Sequence, residues 1–574
     1  MIPFSAETIR DYTNRGVWGR TTVDDLFRIA VLGGRERLAI VDPPDKQAMT
    51  GIAPLRLSWL ELDDMVDRLA ARFLALGLKK DDIVAVQLPN CVELAMVYLA
   101  VARLGLIISP FPIQYRDHEL IDLLGFVDAR VMITFGRIKG HDHVAMLAGV
   151  NQHLPGLKGV LAWGASASEA QSLDAQSLDN LREGVLDRAA VLDASRAAAV
   201  DANEVFTITW TSGTEARPKG VPKTHNHWMC AGIACAEAGE LRDGEVLLNP
   251  FPMTHIGSLG GMFFPWLLKG GVLVQHQPFE LDTFLTQLAS ERVAYTVAPP
   301  AVLNLLVQNQ ALMDKYDLSA LHSVGSGSAP LSPWMIRGLF DRYGISVWNS
   351  FGSSEGCALF GAGRDIPDPE ARAEYLPRFG VKGIGWSSWV AGAQETRLVD
   401  PATEQEITQP GQPGELRLRG PLVFSGYWND PEQTRRAFDA DGWYKTGDTF
   451  EIAGEVPTPR YYHYLARTKD VVNRGGMKIS PAELETLIDG HPKVREAAVI
   501  GVPDARMGEV VCAVVVPRDP AAKLELKELT DYLRDKRIAV YKLPERLAIV
   551  DALPRNPVGK VLKRDLRDQF AKSA

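Results

Sequence analysis

The sequence is short of three things that mark the simplest protein classes: cysteine, an excess of basic residues, and a long apolar run. Its five cysteines in 574 residues are scattered, and only Cys230 and Cys235 lie near one another. No His/Cys cluster with zinc-ligand spacing accompanies Cys91, Cys230, Cys235, Cys357 or Cys512, which excludes a disulfide scaffold and a zinc module and predicts buried or inert thiols in a reducing compartment. Lys plus Arg total 62 against 71 Asp plus Glu, a net charge of -9 with a pI near 5.8, whereas a general nucleic-acid binder shows a basic field. Phosphate ligands stay open, because backbone amides and a few cations can hold them locally. The most apolar stretch, Leu94 to Ile113, is broken by Arg103, Gly105 and Pro110, short of the roughly 20 clean residues of a membrane span. The N-terminal Met1-Ile-Pro-Phe-Ser-Ala-Glu7 has no basic stretch followed by an apolar core, so no secretory leader is expected and the cytoplasm is the expected location.

What is present is an ordinary globular composition, 46% hydrophobic and 23% charged. Length alone suggests about three or four domains at roughly 150 residues each, although large α/β units often exceed that figure. Asp82 to Gln87 reads as a buried strand and Val92 to Leu104 as a mostly apolar helix behind it. Further strand runs are Arg130 to Thr134, Lys158 to Trp163, Val205 to Trp210, Gly271 to Gln275, Tyr295 to Ala298 and Ile345 to Trp348. Strands spaced by helices of this length predict mainly parallel sheets covered on both faces. Gly164 to Ser177 reads as a surface loop on its Ala/Ser/Gln composition. From Asp470 a compact βαβ-type unit is predicted, with strand runs Glu496 to Val502 and Val510 to Val516 and a helix on which Leu526, Leu529 and Leu533 recur.

After the strand ending at Trp210 comes Thr211-Ser-Gly-Thr-Glu-Ala-Arg-Pro-Lys-Gly220. Hydroxyls and a glycine at a strand end can wrap phosphate oxygens with N–H and O–H donors, and a lysine adds a point charge. A Walker A loop needs Gly-Lys followed by Ser/Thr; here Pro218 precedes Lys219 and Gly220 follows it. The stretch resembles the Thr-Ser-Gly-Thr-Thr-Gly-x-Pro-Lys-Gly signature of the adenylate-forming superfamily, which includes acyl-CoA synthetases, peptide-synthetase adenylation domains and luciferase. It departs at Glu215 and Ala216. A carboxylate beside a triphosphate is repelled, so Glu215 is expected to point away or to pair with Arg217.

Further motifs of the superfamily follow in order. Gly325-Ser-Gly-Ser-Ala-Pro330 is similar to its glycine-rich adenine and acyl loop, and Asn349-Ser-Phe-Gly-Ser-Ser-Glu355 resembles Tyr-Gly-x-Thr-Glu. An aromatic ring offers adenine a face, and a carboxylate oxygen suits Mg2+. Gly414 to Pro421 and Gly426-Tyr-Trp-Asn-Asp-Pro-Glu432 match a sheet-and-turn segment read as structural. Tyr444-Lys-Thr-Gly-Asp448, Leu465-Ala-Arg-Thr-Lys-Asp470, Asn473-Arg-Gly-Gly-Met-Lys-Ile-Ser480 and Leu553-Pro-Arg-Asn-Pro-Val-Gly-Lys560 complete the set. The motifs look most like those of acyl- and aryl-CoA ligases for alicyclic acids and of dihydroxybenzoate-AMP ligases.

The resemblance implies an α/β fold. A large N-terminal domain over residues 1–468 would consist of stacked mixed α/β sheets plus a small β subdomain, and a small mobile α+β C-terminal domain would cover 469–574. It implies an ATP-dependent acid-thiol ligase that makes an acyl-adenylate and passes the acyl group to coenzyme A, with ATP and Mg2+. Lys560, His255 and Glu355 would be catalytic, with Glu355 also the metal ligand. ATP and AMP would be held by Thr211, Ser212, Gly213, Thr214, Lys219, Gly327, Ser328, Ala329, Asn349, Phe351, Gly352, Ser354, Asp448 and Arg467. Lys469 would be the hinge, and Gly475 and Gly476 would border the coenzyme A tunnel. Ile256, Gly257, Ala301 and Gly325 would line the acyl pocket. Their small or apolar character suits an alicyclic, aromatic or medium-chain acid, since an apolar Ile256 cannot satisfy a ring hydroxyl. The expected partners are small molecules, with a homodimer allowed and neither nucleic acid nor membrane. Two rival readings remain: an adenylation enzyme loading a carrier-protein thiol, and a non-catalytic nucleotide-binding protein.

Overall fold

The computed structural model describes residues 1–165, 176–183, 185–211, 218–327, 331, 333–455, 458–467, 472–479, 481–489, 491–519, 523–554, 561 and 563–570. The chain forms two compact units. One comprises Met1–Ile113, Gly125–Thr209 and Gly220–Ala466; the other comprises Gln114–Leu124, Trp210–Lys219 and Arg467–Ala574.

Three sheets dominate the larger unit among the described residues. An eight-stranded sheet runs in the order Cys357–Gly361, Ser346–Gly352, Ser323–Gly327, Tyr295–Val297, Val246–Asn249, Val272–Gln275, Leu38–Val41 and Arg56–Ser58. Its six inner strands are parallel, and the two edge strands are antiparallel. Neighbouring residues on these strands point to opposite faces. Ile40, Leu247, Leu273 and Trp348 enter one buried cluster, and Val41, Leu248, Val274 and Val347 another. Both faces are therefore covered, as parallel pairing requires.

The second sheet, of seven strands, contains Ile83–Gln87, Ile107–Pro110, Ala129–Phe135 and Gly159–Trp163 in parallel. Gln176–Ser177 is its edge strand, paired with Leu161 and Ala162. The end of the segment read from composition as a loop thus takes up an open sheet edge; its residues 166–175 lie outside the described set. The third sheet, of six strands, is antiparallel wherever its register is described and includes Gly414–Arg419 and Tyr444–Ala453. It is the small β subdomain.

The apolar stretch that could have suggested a membrane resolves into a buried helix and a strand. Helix Val92–Leu104 is buried along all 13 residues and ends at Gly105, whose φ of 66° only glycine adopts readily. A side chain there would also meet Val200 at 2.9 Å. Its two charged residues are paired: Arg103 with Asp24, Asp63 and Asp67, and Glu93 with Lys46. No helix among the described residues is long and apolar enough to cross a membrane.

In the smaller unit, Val494–Asp504 and Gly508–Pro517 form an antiparallel hairpin, and Arg546–Ile549 lies parallel to the second strand. Helix Leu526–Asp535 makes that parallel crossover, the predicted βαβ element, with Leu529 and Leu533 fully buried.

Candidate active site

Ligands of open α/β sheets bind beyond the carboxyl ends of the strands. In the eight-stranded sheet, the carboxyl ends of four parallel strands carry the residues singled out from sequence. The turn with His255, Ile256 and Gly257 follows Val246–Asn249, and Ala301 lies in helix Pro300–Gln308 just after Tyr295–Val297. Gly325 and Gly327 end Ser323–Gly327, and Asn349, Phe351 and Gly352 end Ser346–Gly352 just before Ser354 and Glu355. The fold thus gathers motifs that are about 100 residues apart in sequence onto one edge.

His255 is the N-cap of a one-turn helix, and its Nδ1 accepts the Gly257 N–H at 3.0 Å. That bond leaves the proton of the neutral ring on Nε2. A Cβ on Gly257 would stand 3.2 Å from both His255 and Phe251, so the glycine makes room for the imidazole. A π-helical turn, Leu259–Phe263, follows directly; such turns are rare and concentrate at functional sites.

Gly325 pairs with Trp348 across the sheet, and a Cβ on it would fall 2.6 Å from the indole. Gly327 faces Ser350, whose carbonyl oxygen would lie 2.3 Å from a Cβ. Both glycines therefore have a packing reason besides ligand access. The Phe351 ring meets Phe450 edge-on at 4.8 Å and leans toward Tyr464 at 6.4 Å. This contact joins the sheet edge to the strand carrying Asp448, two residues before Phe450. Asp448 is buried and follows Gly447, which takes a φ of 69° at an irregular stretch of the ladder; such a bulge re-aims a side chain. The Asn349 amide is engaged, donating to Arg372 O at 3.1 Å and Ala373 O at 3.4 Å.

Glu355 is 9% exposed. Its Oε1 accepts the Tyr427 hydroxyl at 2.9 Å, and its backbone oxygen accepts Phe424 N–H at 2.7 Å. No Lys or Arg among the described residues pairs with this carboxylate. A buried carboxylate with one neutral donor and no counter-cation fits a hard cation such as Mg2+. The segment Leu422–Trp428 acts as a strap behind it. Lys223 Nζ donates to Leu422 O and His227 Nε2 to Val423 O, each at 3.0 Å. Trp428 N–H donates to Gly220 O at 2.8 Å. Burial first, and then Lys223, holds His227 well below the usual histidine range, so it donates as a neutral ring.

Thr211 ends strand Val205–Thr211, and its buried hydroxyl has no hydrogen-bond partner among the described residues. Lys219 opens strand Lys219–Thr224. In the smaller unit, Gly475 and Gly476 form a two-residue hairpin turn with φ of 54° and 87°. Positive φ at both positions is the requirement of a type I′ turn, and a Cβ on Gly476 would meet nothing within 4 Å. Ser212, Gly213, Thr214, Glu215, Arg217, Ser328, Ala329, Lys469 and Lys560 lie outside the described residues, as do the side chains of Ala301 and Arg467.

Sequence reasoning passed over Tyr427, read as structural, and also Lys223, His227 and Asn90. Polar residues set in apolar runs were the available signal. One other cluster, Asp42, Cys91 and Glu93, has the donors of a metal site. Lys46 Nζ already sits 2.6 Å from both Asp42 and Glu93 and serves as its cation. Burial, followed by Glu93, pushes the Asp42 carboxyl up. An open cavity of about 660 Å³ beside Trp334 and Arg337 contains none of the expected site residues.

The AMP-binding enzyme family matches residues 37–428, and the AMP-binding enzyme C-terminal domain matches 483–560. The chain is similar to the medium-chain fatty-acid–CoA ligase of Escherichia coli, at 30% identity over 99% of this chain and 93% of that enzyme. It is also similar to the 2,3-dihydroxybenzoate-AMP ligase of Bacillus subtilis, at 29% identity over 99% and 97%. In fold it resembles the amide bond synthetase McbA of Marinactinospora thermotolerans, with a TM-score of 0.75 and 24% identity over 95% of this chain and 99% of that one. The sheet edge with its buried carboxylate is thus part of an AMP-binding enzyme, and the chain belongs to the adenylate-forming ligase family.

Proposed function

We propose that this enzyme joins an apolar carboxylic acid to ATP, giving an acyl-adenylate and pyrophosphate, and then transfers the acyl group to coenzyme A with release of AMP. The observation that carries the reading is Glu355, a buried carboxylate at the strand ends with a phenol donor and no paired cation among the described residues. Mg2+, bound through Glu355, would supply charge neutralisation on the phosphate oxygens. Phe351 would offer its face to adenine, Asp448 and Arg467 would accept and donate to the ribose, and Thr211 to Lys219 would wrap the outer phosphates. The buried Thr211 hydroxyl, without a partner among the described residues, supports that role.

In the first step a carboxylate oxygen forms a bond to the α-phosphorus as the bond to pyrophosphate breaks. Lys560 would lie between the two anions and offset their repulsion, a preorganised charge of the kind that dominates such catalysis. In the second step the thiol sulfur attacks the adenylate carbonyl and AMP departs. A domain division at 468/469 would give this step its device: the C-terminal domain would turn about Lys469, withdrawing Lys560 and presenting the Gly475–Gly476 turn. A cytoplasmic setting suits these substrates.

Around the acid, Ile256, Gly257 and Gly325 are small or apolar, and the Trp348 indole packs over Gly325. Such surroundings favour an alicyclic, aromatic or medium-chain acid over a polyhydroxylated one. The test is AMP release across a panel of such acids, with and without coenzyme A. Turnover that requires both acid and coenzyme A supports the proposal. Acid-dependent adenylation indifferent to coenzyme A would transfer the second step to a carrier-protein thiol, and no AMP with any acid would refute the reading.

A further inference from the structure

Asn90 lies between strand Ile83–Gln87 and helix Val92–Leu104 and is fully buried. Its side chain is saturated by two stretches of chain more than 150 residues away, Asn249 to Met253 and His276. Nδ2 donates to Phe251 O at 2.7 Å and to the carbonyls of Asn249 and His276 at 3.3 Å, while Oδ1 accepts Met253 N–H at 2.9 Å. Its own N–H donates to Gln277 Oε1 at 2.7 Å. The helix that follows reinforces the grip, because its Tyr98 donates its hydroxyl to Met253 O at 2.5 Å. Farther along the turn, Ser258 donates to Asn249 Oδ1 at 2.9 Å. The backbone from Asn249 to Ser258 is therefore fixed before, within and after its bend, and His255 projects from the middle of it.

We infer that Asn90 is a positioning residue for the acid: it connects two sheets at their carboxyl ends and sets the height of the turn that presents His255, Ile256 and Gly257. A saturated amide can do this where an apolar side chain cannot. Its Oδ1 takes up the Met253 N–H, and its two N–H groups are shared among the Phe251, His276 and Asn249 carbonyls, of which Asn249 O also accepts the His276 N–H at 3.0 Å. Without the amide the Met253 N–H and the Phe251 carbonyl lose this partner. The inference rests on the proposed function only in taking that turn to face the acid. Among the described residues no hydrogen bond runs from Asn90 to the Glu355 strap, so the nucleotide side is expected to be insensitive to it.

The experiment compares Asn90→Ala, Asn90→Asp and Tyr98→Phe with the unaltered enzyme by steady-state kinetics on a panel of acids. Thermal melts accompany the kinetics to identify any variant that fails to fold. Each Asn90 variant is expected to raise the KM for the acid about tenfold, the effect of one buried hydrogen bond left unmade. The KM for ATP should hold within about twofold, and the ranking of acids by kcat/KM should change. Tyr98→Phe removes the second grip on Met253 and is expected to shift the acid KM in the same direction by a smaller factor, which keeps the inference testable should the Asn90 variants not fold. An equal rise in the KM for ATP, or an unchanged KM and ranking for the acids in folded variants, would overturn it. If the unaltered enzyme consumes no acid, the proposed function fails instead.

Discussion

Replacing Tyr427 with Phe removes a single oxygen from the wall behind Glu355. The ring keeps its edge-on contact with Phe424 at 4.9 Å, and the backbone N–H keeps its bond to Thr434 Oγ1 at 2.8 Å. What disappears is the 2.9 Å hydrogen bond to Glu355 Oε1. A hydrogen bond to a charged group contributes about 1.5–3 kcal/mol net when buried. Tyr427 is only half-buried, so water can replace part of it, and about 1 kcal/mol remains, or roughly a fivefold change in an equilibrium. The apparent Mg2+ requirement at fixed ATP and acid is expected to rise by about that factor. Mn2+ affinity, read by electron paramagnetic resonance without turnover, should weaken in step. A Tyr427→Phe enzyme with unaltered Mg2+ and Mn2+ dependence would refute the assignment of Tyr427 as the support of Glu355.

Lys560→Ala is expected to slow acid-dependent pyrophosphate exchange by about 10²–10³-fold, as loss of one preorganised donor does, while conversion of supplied acyl-adenylate to thioester changes little; equal losses would refute separate roles. Lys469→Pro should behave in the opposite way, keeping exchange and losing thioester formation, and loss of both would contradict the hinge. Burial holds His225 down at about 4, below its unfolded value of about 6.5. The neutral ring's contribution is therefore complete above pH 6.5 and lost as pH falls from 6.5 through 4, by about 3 kcal/mol. Melting temperatures of the protein and of His225→Gln should converge over that interval, and a constant gap would contradict the argument.

Strand runs such as Val205 to Trp210 and Tyr295 to Ala298 were readable to within a residue of their observed ends, because buried parallel strands are continuous apolar runs bounded by polar turns. Helix Val92–Leu104 was legible for the same reason. The edge strand Gln176–Ser177 was not, since two polar residues on an open edge carry no pattern. At the candidate site, Glu355 and Asp448 could be singled out because their motifs are local. Tyr427 meets Glu355 across 72 residues, and Asn90 meets Met253 across 163. Neither partnership leaves a spacing in the sequence, and polar residues that hold other residues in place are visible only once the chain is folded. The Gly475–Gly476 pair is an intermediate case: the glycines were legible, but the hairpin geometry that requires positive φ at both came from the structure.

The central claim, that this chain adenylates an acid before any thiol is engaged, is tested most directly by single-turnover mixing of enzyme in excess over α-labelled ATP with Mg2+ and an alicyclic or aromatic acid. The account predicts that, without coenzyme A, label accumulates as enzyme-bound acyl-adenylate and is discharged to AMP and thioester when coenzyme A is added. Label that remains ATP with every acid tested, or AMP that appears only when coenzyme A is present from the start with no adenylate before it, would contradict it.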